Sequence, residues 1–134
     1  MLGHWMYVST NRIPSNADSE VEKLVRRSIE VNGEKNVTGA LLFTGEHFVQ
    51  YIEGPPDGVD SLRIAIQRDP RHSDIITLRE GPCPHRLFVN WSLAYAGPAT
   101  YVSSLVADMD IATSTERVDR VITVMTEFVF RGHG

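Results

Sequence analysis

"HFVQYIEG", His47 to Gly54, alternates like a β-strand, yet one residue breaks the pattern. Successive side chains of a strand point to opposite faces, so Phe48, Gln50 and Ile52 share a face. A glutamine therefore stands between two large apolar residues on what reads as a core face. An amide buried without partners costs about 1–3 kcal/mol. Gln50 must have a hydrogen-bond partner, and the rest of the chain has to supply it.

Working outward, "VTGALLF" (Val37–Phe43) is a second strand, "TGE" a short turn, and the pair reads as a hairpin. Upstream, "HWMYVS" (His4–Ser9) is a first strand. A helix is expected from Asp18 or Ser19, with Ser19 and Glu22 as a capping box. Val21, Leu24, Val25, Ser28, Ile29 and Asn32 recur at the spacing of one helix face. That stripe begins apolar and turns polar. Downstream of "GPPDG", a second helix is expected over Asp57–Arg68, burying Val59, Leu62, Ala65 and Ile66. "DPRH" ends it, because the residue before Pro70 is pushed out of the helical region. "SDIITLRE" is a fourth strand, "GPCPH" a turn, and "RLFVNWSLAY" (Arg86–Tyr95) a fifth strand.

The order β-α-β-β-α-β-β predicts an α+β ferredoxin-like sandwich, with helices on one face of a mixed sheet and one extra strand. It occupies residues 1–96. A helical extension is expected over 97–134, with a short helix at Tyr101–Ala107 and a longer one at Thr115–Arg131. The longer one aligns Val118, Val121, Ile122, Met125 and Val129. Such helices are unstable alone in water, so they must cover the free sheet face or pack on a second subunit. A homo-oligomer, most simply a dimer, is expected.

The chain has 134 residues, 42% hydrophobic and 22% charged, with a net charge of −4. That suits one ordinary core. No basic cluster exceeds Arg26–Arg27, which argues against a nucleic-acid partner. No apolar run approaches the roughly 20 residues of a membrane span. The single cysteine, Cys83, excludes an internal disulfide and reads as a loop thiol in a reducing, cytoplasmic setting. The five histidines lack metal-ligand spacing, so no metal site is expected.

Ser28 and Asn32 lie one turn apart on the inward helix face, and Gln50 points inward from the third strand. Tyr7 stands on the first strand, with Met6 and Val8 on its other face. Four hydrogen-bonding side chains thus converge among Leu41, Phe48 and Ile52. Such a slot suits a flat, amphipathic ligand. Each also has an ordinary reading. Asn32-Gly33 is a common helix stop, Gln50 could bond a backbone carbonyl, and Tyr7 could be a core aromatic.

"YVS", the asparagine ending the first helix, "VTGALLF", "HFVQYIEG", "IQRDPRH" and "RLFVNWSL" resemble, in order, the motifs of the BLUF family of blue-light sensors that use flavin. The likeness covers residues 3 to 95. It implies noncovalent flavin, FAD most of all with FMN as the alternative. By the same resemblance, Tyr7, Gln50 and Trp91 are the photoactive residues. Tyr7 is the electron and proton donor, Gln50 bridges it to the flavin, and Trp91 helps relay the signal. Asn32 would hold the pyrimidine edge with Ser28 beside it. Leu41, Phe48 and Ile52 would wall the ring, and Asp69, Arg71 and His72 would face the ribityl and phosphate end. Asp69, Arg71 and His72 also read as a solvated helix end. Two positions depart from many relatives. Leu93 replaces a methionine, and Leu87 replaces an arginine expected near the phosphate end.

The expected function is a photoreceptor reporting to an unidentified protein partner. A small ferredoxin-like enzyme is the alternative, but no nucleophile beside a base and no Gly-rich anion cradle is found. A colourless interaction module is the third reading, opposed by the presence of Tyr7, Asn32 and Gln50. A yellow purified protein rules out the third reading and weakens the second.

Overall fold

The computed structural model describes residues 1–13, 17–89, 94–96 and 115–132. Strand β1 spans Leu2–Asn11, helix α1 Ala17–Glu34, β2 Thr38–Phe43 and β3 His47–Gly54. Helix α2 spans Pro56–Gln67, β4 His72–Cys83, β5 Ala94–Ala96 and helix α3 Thr115–Gly132. The sheet order is β4-β1-β3-β2-β5. The first four strands pair antiparallel, and β5 lies parallel to β2. This is the expected α+β ferredoxin-like sandwich with one added strand and a C-terminal helix.

The two sheet faces carry separate cores. On one, Trp5, Tyr7 and Ile52 pack with Val59 and Leu62 of α2, while Leu41, Phe43 and Phe48 pack with Val21 and Val25 of α1. On the other, Met6, Val8, Ala40, Leu42, Val49 and Tyr51 pack with Val118, Val121 and Met125 of α3. The apolar stripe of α3 is thus buried within the chain. Between β2 and β3 the backbones approach closely at Gly39, where a Cβ would fall 2.0 Å from the Tyr51 carbonyl oxygen. Only glycine fits there.

Helix α1 departs from expectation at its start. It begins at Ala17, so Ser19 lies inside it and is not the cap of a box with Glu22. It continues past Asn32-Gly33 to Glu34. The chain reverses at Asn36, in the left-handed region at φ 57°. Asn36 N–H donates to the Gly33 carbonyl at 3.1 Å and Val37 N–H to the Asn32 carbonyl at 2.8 Å, a Schellman closure. Asn32 is therefore held through its own backbone carbonyl. Ile29 and Ala65, expected inside, are exposed.

The fifth strand does not begin at Arg86 as expected, and residues 90–93 lie outside the described residues. Residues 86–89 are not a strand. The N–H groups of Leu87 and Phe88, which a strand would give to a neighbour, go to the carboxylate of Glu53. Cys83 ends β4, paired with Leu2, and is not in a loop. Burial, then Glu53, pushes its thiol pKa up against the opposing pull of Arg86. The expected helix at Tyr101–Ala107 and the side chains of Trp91, Leu93 and Val129 lie outside the described residues. Among the described residues, no helix is long and apolar enough to cross a membrane.

Candidate functional site

A cleft of about 790 Å³ of empty space, mouth included, opens between the sheet and the two helices α1 and α2. Tyr7, Leu41, Phe48 and Gln50 come from the sheet. Helix α1 contributes Ser28 and Asn32, and the turn after α2 contributes Asp69 and Arg71, followed by His72 at the start of β4. Nine of the ten residues expected to hold a cofactor thus share one cleft. Ile52 does not: it is fully buried behind the cleft, under Val59 and Leu62.

The partner of Gln50 is Tyr7. Cross-strand pairing sets Tyr7 directly opposite Gln50, and the Tyr7 hydroxyl donates to Gln50 Oε1 at 2.5 Å. Both are buried, at 3% and 5% exposure. Burial drives the Tyr7 pKa far up, with the Asp69 charge adding to it. Tyr7 is therefore a neutral phenol at any ordinary pH. Its hydroxyl is held as a hydrogen-bond donor to Gln50.

The Tyr7 ring stacks on Trp5, centroids 4.6 Å apart, and meets the edge of His72 at 5.8 Å. His72 is itself fixed at both nitrogens. Its Nε2 lies 2.9 Å from the Ile66 carbonyl, which can only accept, so Nε2 carries the proton. Nδ1 lies 2.7 Å from Ser9 Oγ. His72 thus offers a ring edge, not a free nitrogen, to anything in the cleft. Its bond to Ile66 is the helix-end contact that the ordinary reading supposed.

Asp69 and Arg71 form a bidentate pair, with Arg71 Nη2 2.6 Å from Asp69 Oδ2. Burial opposes the charge on Asp69. The side-chain and backbone hydrogen bonds from Arg71 outweigh it and hold the carboxyl below its ordinary pKa. Asn32 is 2% exposed and faces the cleft from the last turns of α1.

Several lining residues escaped the sequence reading. Leu24 and Val31 lie on the apolar stripe of α1, one turn either side of Ser28, and helical spacing could have placed both. Arg27 lines the rim while reaching Glu30 at 3.4 Å, and nothing in the sequence separates it from the other charges of α1. Leu87 does not line the cleft. Trp91 lies outside the described residues.

The cleft therefore offers an apolar slot with a polar edge. Leu41 and Phe48 come from the sheet, and Val31 and Ile66 from the helices. The amides of Asn32 and Gln50 and the hydroxyl of Ser28 supply donors and acceptors along the edge. That set fits the flat heteroaromatic ring of a flavin, whose pyrimidine edge carries both donors and acceptors. No group of three or more metal-ligating side chains occurs among the described residues.

The family model described as sensors of blue-light using FAD matches residues 2–94. The chain is 33% identical over 78 residues to the photoactivated adenylate cyclase subunit beta of Euglena longa, covering 58% of this chain and 9% of that protein. It is 41% identical over 69 residues to the blue light- and temperature-regulated antirepressor BluF of Escherichia coli (strain K12), covering 52% of this chain and 17% of that protein. The chain thus matches only a small part of each of these relatives. Among solved structures, the dark state of BlrB, a BLUF protein, aligns with a TM-score of 0.80 at 29% identity, covering 94% of this chain and 96% of that one. With the matched segment taking in the whole cleft, the chain belongs to the BLUF family.

Proposed function

We propose that the cleft holds a flavin noncovalently and that Tyr7 and Gln50 convert blue light into a rearranged hydrogen-bond network, read by a separate protein partner. FAD is the expected form, in keeping with the family's description, with FMN as the alternative. When bound, the flavin supplies blue-light absorption and an excited state that accepts an electron and a proton.

The observation that carries this reading is the 2.5 Å bond from the Tyr7 hydroxyl to Gln50 Oε1 on the floor of the cleft. Tyr7 is a buried, neutral phenol and is assigned the role of electron and proton donor. Gln50 is the relay: with Oε1 engaged by Tyr7, its amide hydrogens are what it can offer elsewhere. Turning the amide over, or tautomerising it, exchanges donor for acceptor at the cleft. Asn32, held by the Schellman closure of α1, fixes the ring edge, and Leu41 and Phe48 exclude water from it. Asp69 and Arg71 stand at the ribityl and phosphate end, and His72 contributes only its ring. In this reading residues 1–96 form the sensor unit, and 97–134 are a helical extension that serves as a cap or an oligomer contact.

Purification with ample flavin tests the reading. A yellow protein that releases flavin on acid precipitation and shifts its absorption to the red under blue light is expected. A folded, colourless protein overturns it.

A further inference from the structure

Glu53 lies on β3, three residues beyond Gln50 and on the opposite face. It is 0% exposed. Its Oε1 accepts the Leu87 N–H at 2.8 Å, and its Oε2 accepts the Phe88 N–H at 2.7 Å. The Thr38 hydroxyl donates to Oε2 at 3.2 Å. Around this knot, Arg86 Nη1 donates to Thr38 Oγ1 at 3.0 Å and Nη2 to the Asn36 carbonyl at 2.9 Å. A buried carboxylate is weak support for stability, since its desolvation offsets much of what its bonds return. What it does supply is position. Two oxygens receiving two successive backbone N–H groups define where the chain after β4 crosses the ends of β2 and β3.

The crossover is also tied to the pocket strand by packing. Phe88 is 1% exposed, and its ring meets Tyr51 at 5.6 Å. Tyr51 is the direct neighbour of Gln50. A displacement of β3 driven from Gln50 therefore reaches residues 87 and 88 twice, through the Tyr51 ring and through the Glu53 carboxylate. Three strand residues span about 10 Å, within the reach of one rigid element.

We infer that Glu53 is the positioning residue that couples the Tyr7–Gln50 pair to the crossover at Leu87–Phe88, so that light alters the crossover only while its carboxylate holds both N–H groups. This rests on the sensor reading above. A merely structural Glu53 would lower stability when changed and leave the light response of the crossover intact.

Hydrogen exchange of the full chain, flavin-free and then flavin-loaded in dark and light, separates the two. In the wild type the Leu87 and Phe88 amides are expected to be protected in the dark and to change by about tenfold under light. Glu53→Gln sets an N–H2 donor against a backbone donor. Exchange at those amides should be faster even without flavin, the light-minus-dark difference should vanish, and the red shift of the loaded protein should persist. A Glu53→Gln protein that keeps the full difference at those amides overturns the inference, as does a red-shifting wild type whose crossover ignores light. A wild type with no red shift overturns the sensor reading and this inference with it. Glu53→Asp, whose shorter side chain withdraws the carboxylate from both N–H groups, serves if Glu53→Gln does not fold. It should shrink the light difference, and an unchanged difference overturns the inference.

Discussion

The two faces of the sheet bury comparable side chains to opposite ends. Toward α3, Val118, Val121 and Met125 close over Met6, Val8, Val49 and Tyr51, and the result is a dry core. Toward α1 and α2, the same strands carry Tyr7, Gln50 and Ser9 among Leu41, Phe48 and Ile52, and the helices leave a cleft. Both faces come from one alternating pattern, so hydrophobicity alone does not distinguish them. The difference lies in the polar residues of the odd-numbered positions of β1 and the even-numbered ones of β3. Where a buried polar residue has its partner on the neighbouring strand, as Gln50 has Tyr7, the helix above need not seal the sheet. The sheet then serves as the floor of a site.

The largest expected effect breaks that pairing. Gln50→Leu should retain fold and flavin yet reduce the light-induced red shift to baseline, because leucine matches the size and offers neither donor nor acceptor. Tyr7→Phe should do the same to the normal photoproduct through loss of one hydroxyl. Absorption spectra in dark and light measure both. A normal photocycle in either variant would contradict the assigned roles.

The next effect belongs to the dry face. Met125 is 0% exposed, and Met125→Ala should cost about 2–5 kcal/mol of unfolding free energy, read by denaturant titration. Flavin affinity and the red shift of the surviving folded protein should change little, since Met125 is remote from the cleft. Equal damage to both quantities would show that the two faces are not separable.

The smallest effect sits at the rim. Asp69 has its folded pKa below the ordinary 3.8. Its contribution is thus fully present above that value and is lost as pH falls through the lower folded pKa. The half-exposed Arg71 keeps the contribution small, about 0.5–1 kcal/mol. Asp69→Asn should lower stability at neutral pH by about 0.5–1 kcal/mol and remove this acid-side loss, so that the two proteins converge at low pH. Thermal melts of the flavin-free protein between pH 3 and 7 measure it.

Period-two and period-3.6 patterns made most of this architecture readable from residues alone. Tyr7, Gln50, Ser28 and Asn32 announced themselves as polar residues at apolar positions, and the cleft does bring them together. Glu53 gave no such sign. A glutamate at a strand end reads as solvated, and its principal partners are backbone N–H groups, which any residue carries. The same bonds explain why the fifth strand does not begin at Arg86. "RLFV" has strand composition, but two of its donors are taken by a side chain from elsewhere in the sequence. Ile52 shows the limit of face assignment: it shares a face with Gln50, yet α2 covers one and leaves the other open.

Strand β4 forms one edge of the sheet, and its irregularity bears on how a second chain could attach. Its register against β1 slips between Met6 and Tyr7 and again between Val8 and Thr10. Asp74 adopts φ 53° beside the second slip, and Pro82 near the far end has no N–H to give. A straight strand laid along this edge would find its hydrogen-bond ladder broken twice and would meet the charges of Asp74 and Glu80. The sheet is thus protected against growth by strand addition on this side, which keeps a light-responsive scaffold from templating fibres. Any partner that reads it along β4 must dock through side chains and not through shared backbone.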